Sequence, residues 1–144
     1  MSVLVDTGVF YAHHDRDAAR HDAAVAMMDE LLDGSYGRVY ATEYVYDETV
    51  TLTRSRTGSF DAAKTVGDRI RGAGRFPDVV ELLIADRPAF DRTVEAFERY
   101  RDHDLSVTDA NLIAHCERGD ADAVVSFDDD FDGIVDRIEP TVRS

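Results

Sequence analysis

Short apolar runs and helix-patterned stretches take turns along this chain, and that alternation narrows its possible folds more than any single residue does. Val3-Leu4-Val5 is a buried-type run that stops on Asp6. Residues 16–32 read as a helix with Ala24, Met28, Leu31 and Leu32 on one face, stopped by Asp33-Gly34. Residues 38–41 form a short strand, and Thr42 is placed to cap a helix that reaches Thr57 and ends at Gly58. A further helix over 61–71 closes at Gly72 and Gly74. Residues 79–84 are an apolar strand, and Asp86 caps a helix in which Phe90, Val94 and Phe97 recur at helical spacing. After a polar loop over 101–107, Ser106 or Thr108 caps a helix to Arg118 that Gly119 ends. Residues 123–127 are a strand; an acidic turn and a weak final strand near Ile138 follow. This order predicts βαβ units and an α/β fold with a mostly parallel central sheet flanked by helices. A site in such a sheet belongs at the carboxyl ends of the strands, where strand order reverses.

The length of 144 residues fits one domain, 1–144, with a core that needs no covalent staples. No apolar run approaches a membrane span, and Met1-Ser2-Val3-Leu4-Val5-Asp6 lacks the layout of a signal peptide. The single cysteine, Cys116, excludes a disulfide framework and a cysteine-based zinc cage. A cytoplasmic location is the expectation. Sixteen basic residues face 30 acidic ones, for a net charge of −14, and Lys64 is the only lysine. An Asp-rich surface almost without Lys reads as adaptation to molar salt, as in halophilic archaea; the plainer alternative is an acidic protein kept soluble by its charge. Either way, the charge argues against long-range attraction of nucleic acid.

With so many acids, the informative ones are those placed where a solvated acid does not belong. Asp6 follows directly on a buried-type strand, and Asp128 follows another. Glu48 shares a helix stripe with Val45 and Leu52. Asp109 heads the face carrying Leu112, Ile113 and Cys116. Each has a local explanation: a cap, a first-turn acid or a strand-exit turn. A mid-helix acid on a core face, however, needs a partner. Carboxylates converging at strand ends repel one another, and divalent cations relieve that repulsion. An all-oxygen set suits Mg²⁺ or Mn²⁺, which activates water for phosphodiester hydrolysis.

In chain order, Val3-Leu4-Val5-Asp6-Thr7, Tyr46-Asp47-Glu48-Thr49, Ser106-Val107-Thr108-Asp109-Ala110 and Ser126-Phe127-Asp128-Asp129-Asp130-Phe131 resemble the PIN domain, in particular the VapC-type ribonuclease toxins of type II toxin–antitoxin modules. The resemblance spans essentially the whole chain. It implies a Rossmann-like sheet, a Mg²⁺-dependent endoribonuclease acting on RNA, a homodimer and a small antitoxin protein as partner. Carried over, Asp6 and Asp109 are the first metal-binding and catalytic acids, with Glu48 and Asp128 completing the quartet. Asp130 stands where some members have a further acid, and which of Asp128, Asp129, Asp130 and Asp132 faces inward is left open. Thr7, Thr108 and Ser126 would orient carboxylates or water; Ser126 replaces the more usual threonine but keeps the hydroxyl.

Other side chains carry weaker claims. His13-His14 reads as a solvated helix end, His115 as partly buried, and Cys116 as core rather than nucleophile. Arg54 and Arg56 suit a helix C-terminus or an RNA phosphate; Tyr11, Tyr44 and Tyr46 suit packing or stacking. Two rival functions remain: a PIN-like fold serving only as a catalytically silent interaction module, and a phosphotransfer receiver. The latter lacks its late lysine, because Lys64 lies in the wrong region.

Overall fold

The computed structural model describes residues 1–142. Its elements are β1 (Ser2–Val5), α1 (Thr7–His14), α2 (His21–Leu32), β2 (Arg38–Thr42), α3 (Glu43–Thr57), α4 (Phe60–Arg71), β3 (Val80–Leu83), α5 (Arg87–Arg99), α6 (Val107–Glu117), β4 (Ala123–Val125) and β5 (Arg137–Ile138). The strands make one sheet in the order β3-β2-β1-β4-β5, and every pairing is parallel. The first three strands step outward from the centre to one edge. The chain then returns through α5 and α6 to lay β4 on the other side of β1. Strand order therefore reverses between β1 and β4, whose register pairs Val5 with Val125.

The central strand is covered on both faces, so Val3, Leu4 and Val5 are all fully buried, as a parallel sheet requires. Phe10 of α1, Leu31 of α2, Ile70 of α4, Leu112 and Ile113 of α6, and Phe131 complete the largest buried side chains around it. Gly72 closes α4 in the left-handed conformation (φ 64°), and a Cβ there would lie 2.6 Å from the Asp78 backbone. That close approach turns the chain back toward β3. Among the described residues, no helix is long and apolar enough to cross a membrane.

The parallel α/β architecture agrees with the sequence reading, and several boundaries move. The helix expected from residue 16 starts at His21, because 15–20 is a turn closed by bonds from the Asp17 and Ala18 amides to Asp15. The His21 ring bonds the Ala12 carbonyl at 2.8 Å, which fixes where α2 begins. Leu32, expected on the buried face, is exposed at the helix end, and Met27 is buried instead. The strand expected over 123–127 ends at Val125; the Ser126 amide still bonds the Ile138 carbonyl at 3.1 Å, and Phe127-Asp128 turn away at the carboxyl end of the sheet. Phe90, Val94 and Phe97 do not form the core face of α5: each is about 40% exposed. Small residues, Ala89, Thr93 and Ala96, face inward and let α5 lie close on α6. An unanticipated helix, α1, begins directly at Asp6.

Candidate active site

Asp6 sits at the switch point because β1 ends there and α1 begins. Its backbone amide still bonds the Val125 carbonyl of β4 at 3.0 Å, while its side chain accepts from the Thr7 amide at 2.8 Å and caps α1. The second carboxylate oxygen accepts from the Ser126 hydroxyl at 2.7 Å. The Ser126 oxygen in turn accepts from the Asp128 amide at 3.0 Å, so one hydroxyl ties β1's acid to the turn that carries β4's. Asp128 caps the single 3₁₀ turn Asp129–Phe131 by accepting from the Asp130 amide at 2.9 Å.

The other two acids arrive on helices. Asp109 is the third residue of α6 and forms a capping box with Ser106. The Ser106 hydroxyl accepts from the Asp109 amide, and the Asp109 carboxylate accepts from the Ser106 amide, each at 3.0 Å. This settles Ser106, rather than Thr108, as the cap. Glu48 lies on α3 with Leu52 and Arg56 at successive four-residue steps, and all three line one cleft. That cleft, about 590 Å³, is also lined by Asp6, Thr7, Ser106, Asp109, Ser126 and Asp128.

The electrostatics follow from crowding. Burial raises the Asp6 carboxyl to about 6; the Ser126 hydrogen bond opposes the rise and the charges of Asp109 and Glu48 add to it. Burial likewise raises Asp109, against its two bonds from Ser106 and with help from the charges of Asp128 and Glu48. The four acids thus sense one another across a shared space. Among the described residues, the only trio of candidate metal-ligating side chains with ligand atoms all within 4.8 Å is Asp128, Asp129 and Asp130. The charge of Asp128 raises the Asp130 carboxyl, which does not line the cleft. Asp128 is the acid of that run that faces inward.

The remaining candidates fall as follows. Thr7 lines the cleft, and its Oγ1 is buried with no hydrogen-bond partner among the described residues. Thr108, expected to orient a carboxylate or water, is buried in the first turn of α6 and does not line the cleft. His13 is pushed down to about 4 by burial and the Arg69 charge, and Arg69 donates to its Nδ1 at 3.2 Å. His115 is buried against Asp120 at 2.9 Å, away from the cleft. Burial pushes the Cys116 thiol up to about 12, which removes it as a nucleophile. Arg56 reaches the cleft and Arg54 instead stacks on Phe60. Arg20 and Phe127, which also line the cleft, were not singled out by the sequence; no local pattern announces them, because a turn and a strand exit bring them there.

A carboxylate-rich cleft at a topological switch point, with hydroxyls on its floor and no thiol or imidazole, is equipped to hold a hard cation through oxygen and to accept a phosphate beside it. Residues 3–136 match the PIN domain. The VapC ribonuclease of Archaeoglobus fulgidus is 26% identical over 111 residues, covering 76% of this chain and 67% of that protein. The structure of Mycobacterium tuberculosis VapC20, described as a sarcin–ricin loop cleaving toxin, superposes with a TM-score of 0.75 at 26% identity, over 92% of this chain and 96% of that one. VapBC2 of Rickettsia felis, solved bound to a DNA fragment from its promoter, shares the fold at 11% identity, with a TM-score of 0.71 over 96% and 98% of the two chains.

Proposed function

The chain belongs to the PIN domain family, and from that premise we propose that it is a metal-dependent endoribonuclease, the toxin of a type II toxin–antitoxin pair. One observation carries the reading: Asp6, Glu48, Asp109 and Asp128, drawn from four separate elements, line a single cleft at the strand-order reversal. The 26% identity to a VapC ribonuclease over most of the chain supports it.

The donor set fits Mg²⁺ or Mn²⁺. The carboxylates and hydroxyls that converge at the strand ends are all oxygen donors, burial and the neighbouring acids raise the Asp6 carboxyl, and the buried Thr7 hydroxyl lacks a partner among the described residues. Asp6 and Asp109 would be the principal ligands, with Glu48 and Asp128 beside them. Bound there, the cation supplies Lewis acidity toward the phosphate and lowers the pKa of water. The protein's own contribution is positional. Ser126 holds Asp6 and the Asp128 turn in one register, and Ser106 fixes the Asp109 carboxylate. No protein nucleophile is required, which agrees with the inert state of Cys116.

Purified protein should cleave structured RNAs with Mg²⁺ or Mn²⁺ and lose cleavage with EDTA. Asp6→Asn should reduce activity by more than the roughly 10–100-fold typical of losing a supporting residue. Equal cleavage by both proteins would refute the assignment and leave the interaction-module reading. The proposal includes a cytoplasmic RNA target, a small antitoxin encoded nearby, and a homodimer. The homodimer rests on the exposed stripe Phe90, Val94 and Phe97 of α5, and sedimentation of a Phe97→Asp variant as a monomer would support it.

A further inference from the structure

Two arginines line the acidic cleft, and neither is spent on an acid. Arg20 lies over the Phe127 ring at 4.9 Å from its centroid, and Arg56 lies over the Tyr11 ring at 4.8 Å. Neither forms an ion pair among the described residues, although the cleft walls carry Asp6, Asp15, Glu48, Asp109 and Asp128. In a chain with 30 acids and 16 bases, a guanidinium parked on a ring beside carboxylates keeps its charge and its N–H edge for something outside the chain.

The two pairs stand on different walls. Arg56 comes from the end of α3, two turns past Glu48, and Tyr11 from α1. Arg20 ends the turn before α2, and Phe127 precedes Asp128 at the exit of β4. The Arg20–Phe127 pair also borders a second concavity of about 650 Å³, lined by Asp128, Asp129, Asp132, Arg137 and Glu139. It therefore stands on the divide between the acidic centre and a continuing groove. Both rings are half-buried and both arginines are exposed, so each pair is a fixed ring with a cation lying on its outer face.

We propose that Arg20 on Phe127 and Arg56 on Tyr11 are two gripping posts for an unpaired RNA strand, one on each wall of the acidic centre. Each guanidinium donates its edge to a phosphate next to the scissile one and offers its plane to a base. The stack on the ring fixes the guanidinium before the strand arrives, which lowers the ordering cost of the contact. Bases stack on an arginine plane only when they are free of a duplex, so the posts select unpaired nucleotides. They also explain how a chain of charge −14 holds a polyanion: through two local cations rather than a basic surface.

This inference rests on the ribonuclease reading, and the test separates the two. Binding of a short fluorescent unpaired RNA is followed by anisotropy with Mg²⁺ present, in an Asp6→Asn background that prevents cleavage. Arg20→Ala and Arg56→Ala should each weaken binding about five- to tenfold and reduce the slope of log affinity against log salt by about 0.7. Arg→Lys at either position should restore the salt slope but recover only part of the affinity, because an ammonium does not lie flat on a ring. Arg75→Ala is the matched control: it removes another ring-stacked arginine, over Phe76, that does not line the cleft, and should change binding less than twofold. In the cleaving protein, the two post variants should raise KM and leave kcat within about twofold. The same strand annealed into a duplex should bind at least tenfold more weakly. Post variants that stay folded and bind like the parent, or an Arg75→Ala variant that weakens binding equally, would overturn the posts alone. Absence of Mg²⁺- or Mn²⁺-dependent cleavage by the protein that retains Asp6 would overturn the nuclease reading with them.

Discussion

Asp6 shows how one residue ties stability to the site. Its carboxyl titrates near 6 in the folded chain against 3.8 for an unburied one. The folded state therefore binds a proton more tightly than the unfolded state, and ionised Asp6 costs stability that grows as pH rises from about 4 to about 6. At neutral pH and without a divalent cation, Asp6→Asn should stabilise the protein by about 1–3 kcal/mol. His13 acts in the other direction. Its folded value of about 4 lies below the ordinary 6.5, so stability is lost as pH falls from about 6.5 through about 4. The two oppose each other in the parent, so Asp6→Asn, which keeps the His13 loss without the Asp6 gain, should lose stability more steeply on acidification than the parent does. Calorimetry in EDTA checks both, and a variant that melts below the parent at neutral pH would contradict the account. Mg²⁺ should raise the parent's melting temperature and scarcely move the variant's. The position of Asp6 at the end of a buried strand could be read from Val3-Leu4-Val5, but its partner Ser126 lies 120 residues away and only the fold joins them. Arg20 was illegible for the same reason.

At the scale of elements, legibility tracked amphipathicity. Strands β1 to β4 and helices α3 to α6 could be read because apolar runs or helical stripes stop at recognisable caps such as Thr42, Asp86 and Ser106. Helix α1 could not, because Gly8 and Val9 are poor helix formers and Thr7, Val9, Phe10 and Ala12 are all buried, which erases the one-sided stripe. Its start depends on the Asp6 cap rather than on propensity. In α5, the Phe90, Val94 and Phe97 stripe marked the helix but lies about 40% exposed, because the small residues Ala89, Thr93 and Ala96 allow closer packing on α6 than aromatics do. The capping box on α6 couples an element to function. Ser106→Ala removes the hydroxyl that accepts from the Asp109 amide; it should cost about 1 kcal/mol of stability and, by loosening the first turn of α6 that carries Asp109, lower cleavage more than stability alone explains. Ser106→Thr, which retains the hydroxyl, should restore most of both; cleavage that merely follows the folded fraction would refute the coupling.

Across the whole molecule, the ion pairs of the described residues engage a minority of the 30 acids, so self-repulsion acts against the compact state. Raising ionic strength from about 0.1 M to about 1 M shortens the screening length from about 10 Å to about 3 Å. Melting temperature should rise over that range, and a fold that is most stable in dilute buffer would contradict salt adaptation. The all-parallel topology places the site between strands from the two ends of the chain: Asp6 follows β1, while Ser126 and Asp128 follow β4. That arrangement makes the cleft an indicator of long-range order. Ser126 reaches Asp6 only once β4 has docked on β1 across 120 residues of intervening chain, so a partly folded chain without the β1–β4 pairing holds the separate acids but not the cleft.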